Sequence, residues 1–292
     1  MRALRSTILY KVRLEFLRGY IIAMPDLINR AEVLMSFPCI KKFLISNARH
    51  LVKFMLSQMI LDDGTMHNLE SRHLRPSGTN PARTLVKIPW KDIFVGGTET
   101  SSSTIVWAMA ELVNNPNMMQ KAKEEVRKVV GKKNKVEEED IQQMNYLKAV
   151  VKESLRLHPP AAFIPMETAT ITNVNGYHVP AKTKVYINTW SIQRDPKLWE
   201  RPEEFIPERF SNSLINFSGQ DFKYIPFGSG RRICPGISFG TMAVELVIAN
   251  LLYWFDWETP GGEKLDMAES SGLSVIKKSP IKLLPIPISQ LP

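Results

Sequence analysis

The spacing of apolar positions changes character along the chain. Residues 1 to about 60 read as helical but uneven, and Tyr10 to Arg18 mixes basic and apolar residues at the spacing of a surface helix, one able to lie on a membrane surface. Residues 62 to 84 are polar and rich in turn formers, as in Asp63-Gly64 and Arg75-Pro76-Ser77-Gly78, and read as a linker or loop. Helical spacing then sharpens. A long helix is predicted from Asp92 to Val113, stopping before Pro116. A second follows, charged on one face from Lys121 to Arg127 and ended by Gly131 in the manner of a C-cap. A third runs from about Met144 to Leu157 and is stopped by Pro159-Pro160.

Beyond that proline pair the period becomes two. Thr170 to Val179 reads as a hairpin around Asn175-Gly176, and Lys184 to Asn188 as another strand. Asp195 to Phe210 is rich in proline, tryptophan and acid and reads as irregular, packed coil. A long apolar helix is predicted from Ile237 to Phe255, then short strands broken by prolines from Leu273 to Ile288. There is no internal repeat and no β/α alternation. The predicted class is mainly α with small β-sheets, an α+β fold.

Composition adds limits. The 292 residues are 44% hydrophobic and 23% charged, ordinary for a globular core. A net charge of +9 makes an acidic protein or a lipid surface a plausible partner. No Lys/Arg tract is interleaved with aromatics, so no nucleic-acid partner is expected. Cys39 and Cys234 lie too far apart in sequence to suggest a disulfide framework, and neither belongs to a zinc-like pair. No apolar run reaches the ~20 residues of a membrane span, and no signal-peptide pattern is present.

Three patches carry candidate chemistry. The first is Phe227-Gly228-Ser229-Gly230-Arg231-Arg232-Ile233-Cys234-Pro235-Gly236. Gly228, Gly230 and Gly236 allow backbone N–H groups close to the sulfur, and Pro235 suits the first position of a following helix. That helix would turn its positive end toward Cys234 and favour the thiolate, the form that binds metal. Arg232 is placed to neutralise an anionic group, and Phe227 to shield the sulfur. The second patch, Gly96-Gly97-Thr98-Glu99-Thr100-Ser101-Ser102-Ser103-Thr104, is poor in helix formers inside a predicted helix. Its hydroxyls can bond carbonyls four residues back, so a locally opened groove is expected there, with Glu99 and Thr100 suited to proton relay. The plainer reading is a close helix crossing over small residues. The third patch sets Glu153 and Arg156 on one helical face among apolar neighbours, and Arg209 offers a second cation downstream.

Together, Lys152-Glu153-Ser154-Leu155-Arg156-Leu157-His158-Pro159-Pro160, Asn188-Thr189-Trp190 with Arg194-Asp195-Pro196, and Pro226 to Gly236 resemble the cytochrome P450 superfamily of haem-thiolate monooxygenases, in its plant A-type clan. The resemblance runs from about Ile93 to the C-terminus. It implies the C-terminal part of the cytochrome P450 fold, with a haem-binding core over residues 86–292 preceded by a poorly matching helical segment and linker over 1–85. It implies haem b (iron protoporphyrin IX) as cofactor and Cys234 as the iron ligand. Glu99 and Thr100 match the family's acid–alcohol pair, and Gly97 the residue against the distal haem face. Phe227, Gly230 and Gly236 match the cysteine loop, Arg232 a propionate anchor, and Glu153, Arg156 and Arg209 the structural triad.

The implied reaction inserts one oxygen atom from O2 into a small lipophilic substrate of specialised plant metabolism. Electrons would come from NADPH through NADPH–cytochrome P450 reductase, docking where Lys223 and Arg231 stand. The implied location is the endoplasmic reticulum membrane, cytosolic face, although no transmembrane anchor is legible in the sequence. Two features depart from the pattern. The family's long N-terminal half is not recognisable, and Met166 stands where a propionate-binding cation is usual. A non-catalytic protein that keeps the motifs by descent is therefore the competing expectation, and a haem-thiolate isomerase or dehydratase a more distant one.

Overall fold

The computed structural model of the chain describes residues 89–270, 272 and 274–288; the segment 1–85 and Cys39 lie outside the described residues. The chain divides into two compact units, residues 1–98 with 280–284, and residues 99–279 with 285–292. The second holds the candidate chemistry other than Gly97.

Six α-helices appear among the described residues: α1 (Pro89–Asn114), α2 (Pro116–Val130), α3 (Glu138–Ile141), α4 (Asn145–Leu157), α5 (Thr189–Ile192) and α6 (Ile237–Trp254). Four two-stranded sheets accompany them: β1 (Phe163–Glu167) with β4 (Lys184–Asn188), β2 (Thr172–Val174) with β3 (Tyr177–Val179), β5 (Phe255–Glu258) with β8 (Leu284–Pro287), and β6 (Glu269–Ser270) with β7 (Ile276–Lys277). This is the helix-dominated α+β class that the residue pattern predicts.

Helices α2, α4 and α6 pack on one another and form the centre of the larger unit. On α2 the buried residues Met119, Ala122, Val126 and Val130 repeat at helical spacing and make one apolar stripe. Leu147, Val150 and Val151 of α4 and Val244, Ile248 and Leu252 of α6 complete the core. Polar ties fix how the helices meet. The Glu125 carboxylate accepts from the backbone N–H groups of Tyr146 and Leu147, both at 2.8 Å. It thereby satisfies donors that the first turn of α4 cannot use and places a negative charge at that helix's positive end. Arg127 and Lys123 both meet Asp256, at 3.0 and 2.6 Å, and join α2 to β5.

The hairpin turn forms as its sequence predicts, with Asn175 and Gly176 both at positive φ, 53° and 87°. Strand β1, like the short helices α3 and α5 and strand β5, is an element that the pattern did not signal; Pro165 interrupts it. It pairs antiparallel with β4, Ile164 opposite Ile187 and Met166 opposite Val185.

Helix α6 has 18 residues and a mean hydropathy of 1.4, long and apolar enough by composition to cross a membrane. Its second half is instead a core element, with Ala243, Val244, Ile248, Ala249, Leu252 and Tyr253 buried inside the protein. Glu245 is buried with them. Burial raises its carboxyl from 4.5 to about 7, partly offset by the charges of Lys148 and Lys152. A carboxyl with a raised value in the folded state holds its proton longer than in the unfolded chain, so its contribution is present below pH 4.5 and lost as pH rises through about 7. Glu245→Gln is therefore expected to flatten the stability profile over that window and to be more stable than wild type above pH 7. Urea unfolding of both proteins at pH 5 and pH 8 checks this; parallel profiles would remove Glu245 as the source.

Candidate functional site

The site is built from α4 outward. Glu153 and Arg156 lie one turn apart and face the interior, each with its side chain 0% exposed. They meet as a two-bond fork, Arg156 Nε to Glu153 Oε2 at 2.8 Å and Nη2 to Oε1 at 2.9 Å. The other three donors of Arg156 reach backbone carbonyls: Gln193 at 2.8 Å, Pro202 at 2.7 Å and Glu204 at 3.1 Å. All five guanidinium hydrogens are thus used. Glu153 Oε1 also accepts from the Ile206 N–H at 2.8 Å and from Arg209 Nε at 3.2 Å. The structure therefore brings the three residues of the predicted triad together, with Arg209 on a 3-10 turn spanning Pro207–Phe210.

An aromatic chain leads from this pair to the cysteine loop. The Arg156 guanidinium lies 5.2 Å from the Trp199 ring, and Trp199, Phe210 and Tyr224 form a buried cluster. Phe217 packs on Tyr224 at 5.8 Å and meets Phe227 edge-on at 5.1 Å. The Tyr224 hydroxyl donates to the Lys152 carbonyl on α4 at 2.8 Å.

The loop itself is held by backbone bonds. The Gly228 N–H donates to the Ile225 carbonyl at 3.0 Å and the Cys234 N–H to the Phe227 carbonyl at 3.0 Å. Gly228 and Gly230 take positive φ of 78° and 72°, and Arg231 and Arg232 lie on a 3-10 turn, Gly230–Arg232. Gly219 presses against this loop. At φ 71°, a Cβ there would stand 2.9 Å from Ser229 Cα and 3.0 Å from the Gly228 carbonyl oxygen, so only glycine fits. The sequence offers only a Ser-Gly turn as a signal for it.

Two sequence expectations need correction. Pro235 is not the first residue of the helix; Gly236 is the N-cap and α6 begins at Ile237. The helix nonetheless starts beside the sulfur, since a Cβ on Gly236 would lie 3.7 Å from Cys234 Sγ. Nor does α1 open at its hydroxyl-rich stretch; it is continuous helix through Gly96–Thr104. The hydroxyls bond within the ladder, Ser102 to the Glu99 carbonyl at 3.0 Å and Thr104 to the Thr100 carbonyl at 2.9 Å. Gly96 is exposed, and a Cβ at Gly96 or Gly97 would meet nothing within 4 Å, so both positions face open space. Glu99 and Thr100 are half-buried on this turn. The next residue, Ser101, has its Oγ 4.0 Å from the place a Cβ on Gly240 would take, so α1 crosses the first turn of α6 here.

The donor set suits a metal that arrives in its own macrocycle. Cys234 is a free, half-buried thiol, and among the described residues no group of three His, Cys, Asp or Glu side chains could hold a bare metal ion. Arg231 and Arg232 are exposed and have no carboxylate partner among the described residues. A thiol able to ligate iron and cations free to meet an acidic periphery fit what a haem requires of the residues around it. Met166, on β1, is exposed, and no cation replaces it at that position. A separate cleft of about 660 Å³, lined by Glu111, His158, Trp190, Arg194, Glu203 and Glu269 among others, contains none of the sequence-predicted site residues.

Comparison with known proteins follows the same lines. The family model described as Cytochrome P450 matches residues 44–285, a span that begins upstream of Ile93. The chain is 54% identical to Cytochrome P450 71A1 of Persea americana over 211 residues, 71% of this chain and 42% of that protein. It is 51% identical to costunolide synthase of Tanacetum parthenium, covering 70% of this chain and 42% of that protein. A solved zebra fish cytochrome P450 with abiraterone superposes with a TM-score of 0.64 at 27% identity, covering 74% of this chain and 51% of the other. The chain thus spans about two fifths of the length of the curated relatives it matches.

Removing one partner of the buried pair leaves the other as an unpaired charge in the interior. Arg156→Met and Glu153→Gln are each expected to lose about 3–5 kcal/mol of stability. Arg209→Met, at a more exposed position, is expected to lose about 1 kcal/mol. Denaturant unfolding midpoints at neutral pH read these differences; equal losses at all three positions would contradict the burial argument.

Proposed function

Because the chain belongs to the cytochrome P450 family, and to its plant A-type clan, we propose that it serves as a haem-thiolate monooxygenase of specialised metabolism. The observation that carries this reading is Cys234, half-buried at the start of α6 in a loop pinned by its own backbone and by Gly219. Bound haem would supply the activation of O2, with one oxygen atom going to substrate, the other to water, and two electrons drawn from NADPH through a reductase.

The chain's own residues take the remaining parts. Cys234 would ligate the iron, from its place beside the N-terminus of α6. Gly236 flanks the sulfur, the Phe227 carbonyl accepts from the Cys234 N–H, and Gly230 lets the loop turn. Arg232 would hold a carboxylate of the haem. Gly97 would leave room for the bound group, and Glu99 and Thr100 would hand protons inward from solvent. Glu153, Arg156 and Arg209 keep the coil beneath the loop in one path. The substrate is small and lipophilic, in keeping with relatives named costunolide synthase and phenylacetaldehyde oxime monooxygenase. The endoplasmic reticulum surface facing the cytosol is the expected location. For reductase docking, Arg231 is the better-placed cation, since Lys223 already reaches Asp221 at 3.8 Å and lies 5.6 Å from the Trp199 ring.

The ferrous–CO difference spectrum of the haem-reconstituted chain tests the proposal. A thiolate-type Soret band is expected, abolished in Cys234→Ala. In Arg232→Ala the band should persist while haem is lost faster on dialysis. A band that survives Cys234→Ala, or none in the wild type with haem added, would overturn it; the second result favours a protein that keeps the motifs without binding the cofactor.

A further inference from the structure

Gln193 is fully buried, immediately after α5, and every polar atom of its side chain is used. Its Nε2 donates to the carbonyls of Leu155 and Arg156, at 2.9 and 3.0 Å. These belong to the last turn of α4, where no following helical N–H is available. Its Oε1 accepts from the Ile225 N–H at 3.0 Å. Its own carbonyl accepts from Arg156 Nη1 at 2.8 Å. One amide therefore joins the end of the triad helix to the strand of coil that enters the cysteine loop. From Ile225 the connection continues through bonds already described: the Ile225 carbonyl holds Gly228, and the Phe227 carbonyl holds the Cys234 N–H. Ile225 is 3% exposed, so water cannot replace Gln193 as partner of its N–H.

We propose that Gln193 is a positioning residue for the Cys234 ligand, transmitting the fixed geometry of the Glu153–Arg156 pair to the cysteine loop. An apolar side chain of equal length would fill the same space but leave two carbonyls and one N–H buried without partners. A carboxylic acid, held protonated by burial and by the two facing carbonyls, would keep the acceptor for Ile225 and one of the two donors. The two substitutions thus separate the halves of the bridge. The inference rests on the haem-ligand reading only in its spectroscopic arm.

The test uses the full chain with Gln193→Met and Gln193→Glu, each checked for wild-type helix content by circular dichroism. Hydrogen exchange without haem is the first readout. The Ile225 amide should exchange about ten- to a hundredfold faster in Gln193→Met, and close to the wild-type rate in Gln193→Glu. The second readout is the ferrous–CO spectrum after reconstitution, in which Gln193→Met should shift part of the band from the thiolate-type to the thiol-type position while Gln193→Glu shifts less. Unchanged exchange at Ile225 in Gln193→Met, or equal exchange in the two variants, would overturn the proposal. So would an unshifted band in Gln193→Met. If Gln193→Met does not fold, Gln193→Glu with a wild-type Ile225 rate supports the bridge and a fast rate refutes it. If wild type gives no thiolate-type band, the haem reading fails, and the exchange result still decides whether Gln193 holds the loop.

Discussion

The buried Glu153–Arg156 fork is the constraint on which the rest of the larger unit depends. Two opposite charges without solvent contact are costly to desolvate and stable only while every lone pair and hydrogen is met. Their partners are therefore dictated. Arg156 needs three carbonyls beyond Glu153, and it takes them from Gln193, Pro202 and Glu204. Those residues lie in or beside coil that has no ladder of its own to set its path. A single guanidinium supplies what a sheet would otherwise provide: a unique arrangement for residues 193–206. Such a pair adds little net stability compared with an apolar substitute, and its value here is geometric.

Once that coil is placed, the aromatics follow. Trp199 is carried by the constrained segment and Phe210 by the adjoining 3-10 turn that Arg209 ties to Glu153, and Tyr224 packs against both and hydrogen-bonds back to α4. Phe217 and Phe227 extend the contacts to the loop that bears Cys234. The sulfur is thus located by packing and backbone bonds among groups of this chain alone. Preorganisation of this kind is what the proposed iron ligand would need, since it leaves little ordering to be done on binding.

Much of this was legible in the sequence, and what was not has a common cause. The long helices, the Asn-Gly hairpin, the cysteine loop and the Glu153–Arg156 spacing are local patterns, set within about ten residues, and the structure shows each of them. Strand β1 escaped because Pro165 masks it and its partner β4 lies beyond an intervening hairpin. Gln193 and Gly219 escaped because their roles exist only across the fold: a glutamine before Arg194-Asp195 gives no hint of three distant backbone partners, and a Ser-Gly pair reads as any turn. The opened helix at Gly96–Thr104 was expected from weak propensities, and it failed because hydroxyls can bond within a continuous ladder. The family resemblance implied triad and ligand roles, yet Gln193 and Gly219, which also hold the coil and the loop in register, lie outside its motifs.

The distribution of charge pairing makes one more argument for what the loop faces. Arg127, Arg156, Arg194, Arg201 and Arg209 each meet a carboxylate, at 2.8 to 3.3 Å. Arg231 and Arg232 alone among the described arginines meet none, although acidic residues are plentiful in the same unit. Adjacent cations on a short 3-10 turn repel one another. Holding them together unpaired beside a thiol makes physical sense where an external anion completes the set. The haem carboxylate and the acidic reductase surface proposed above are two such anions.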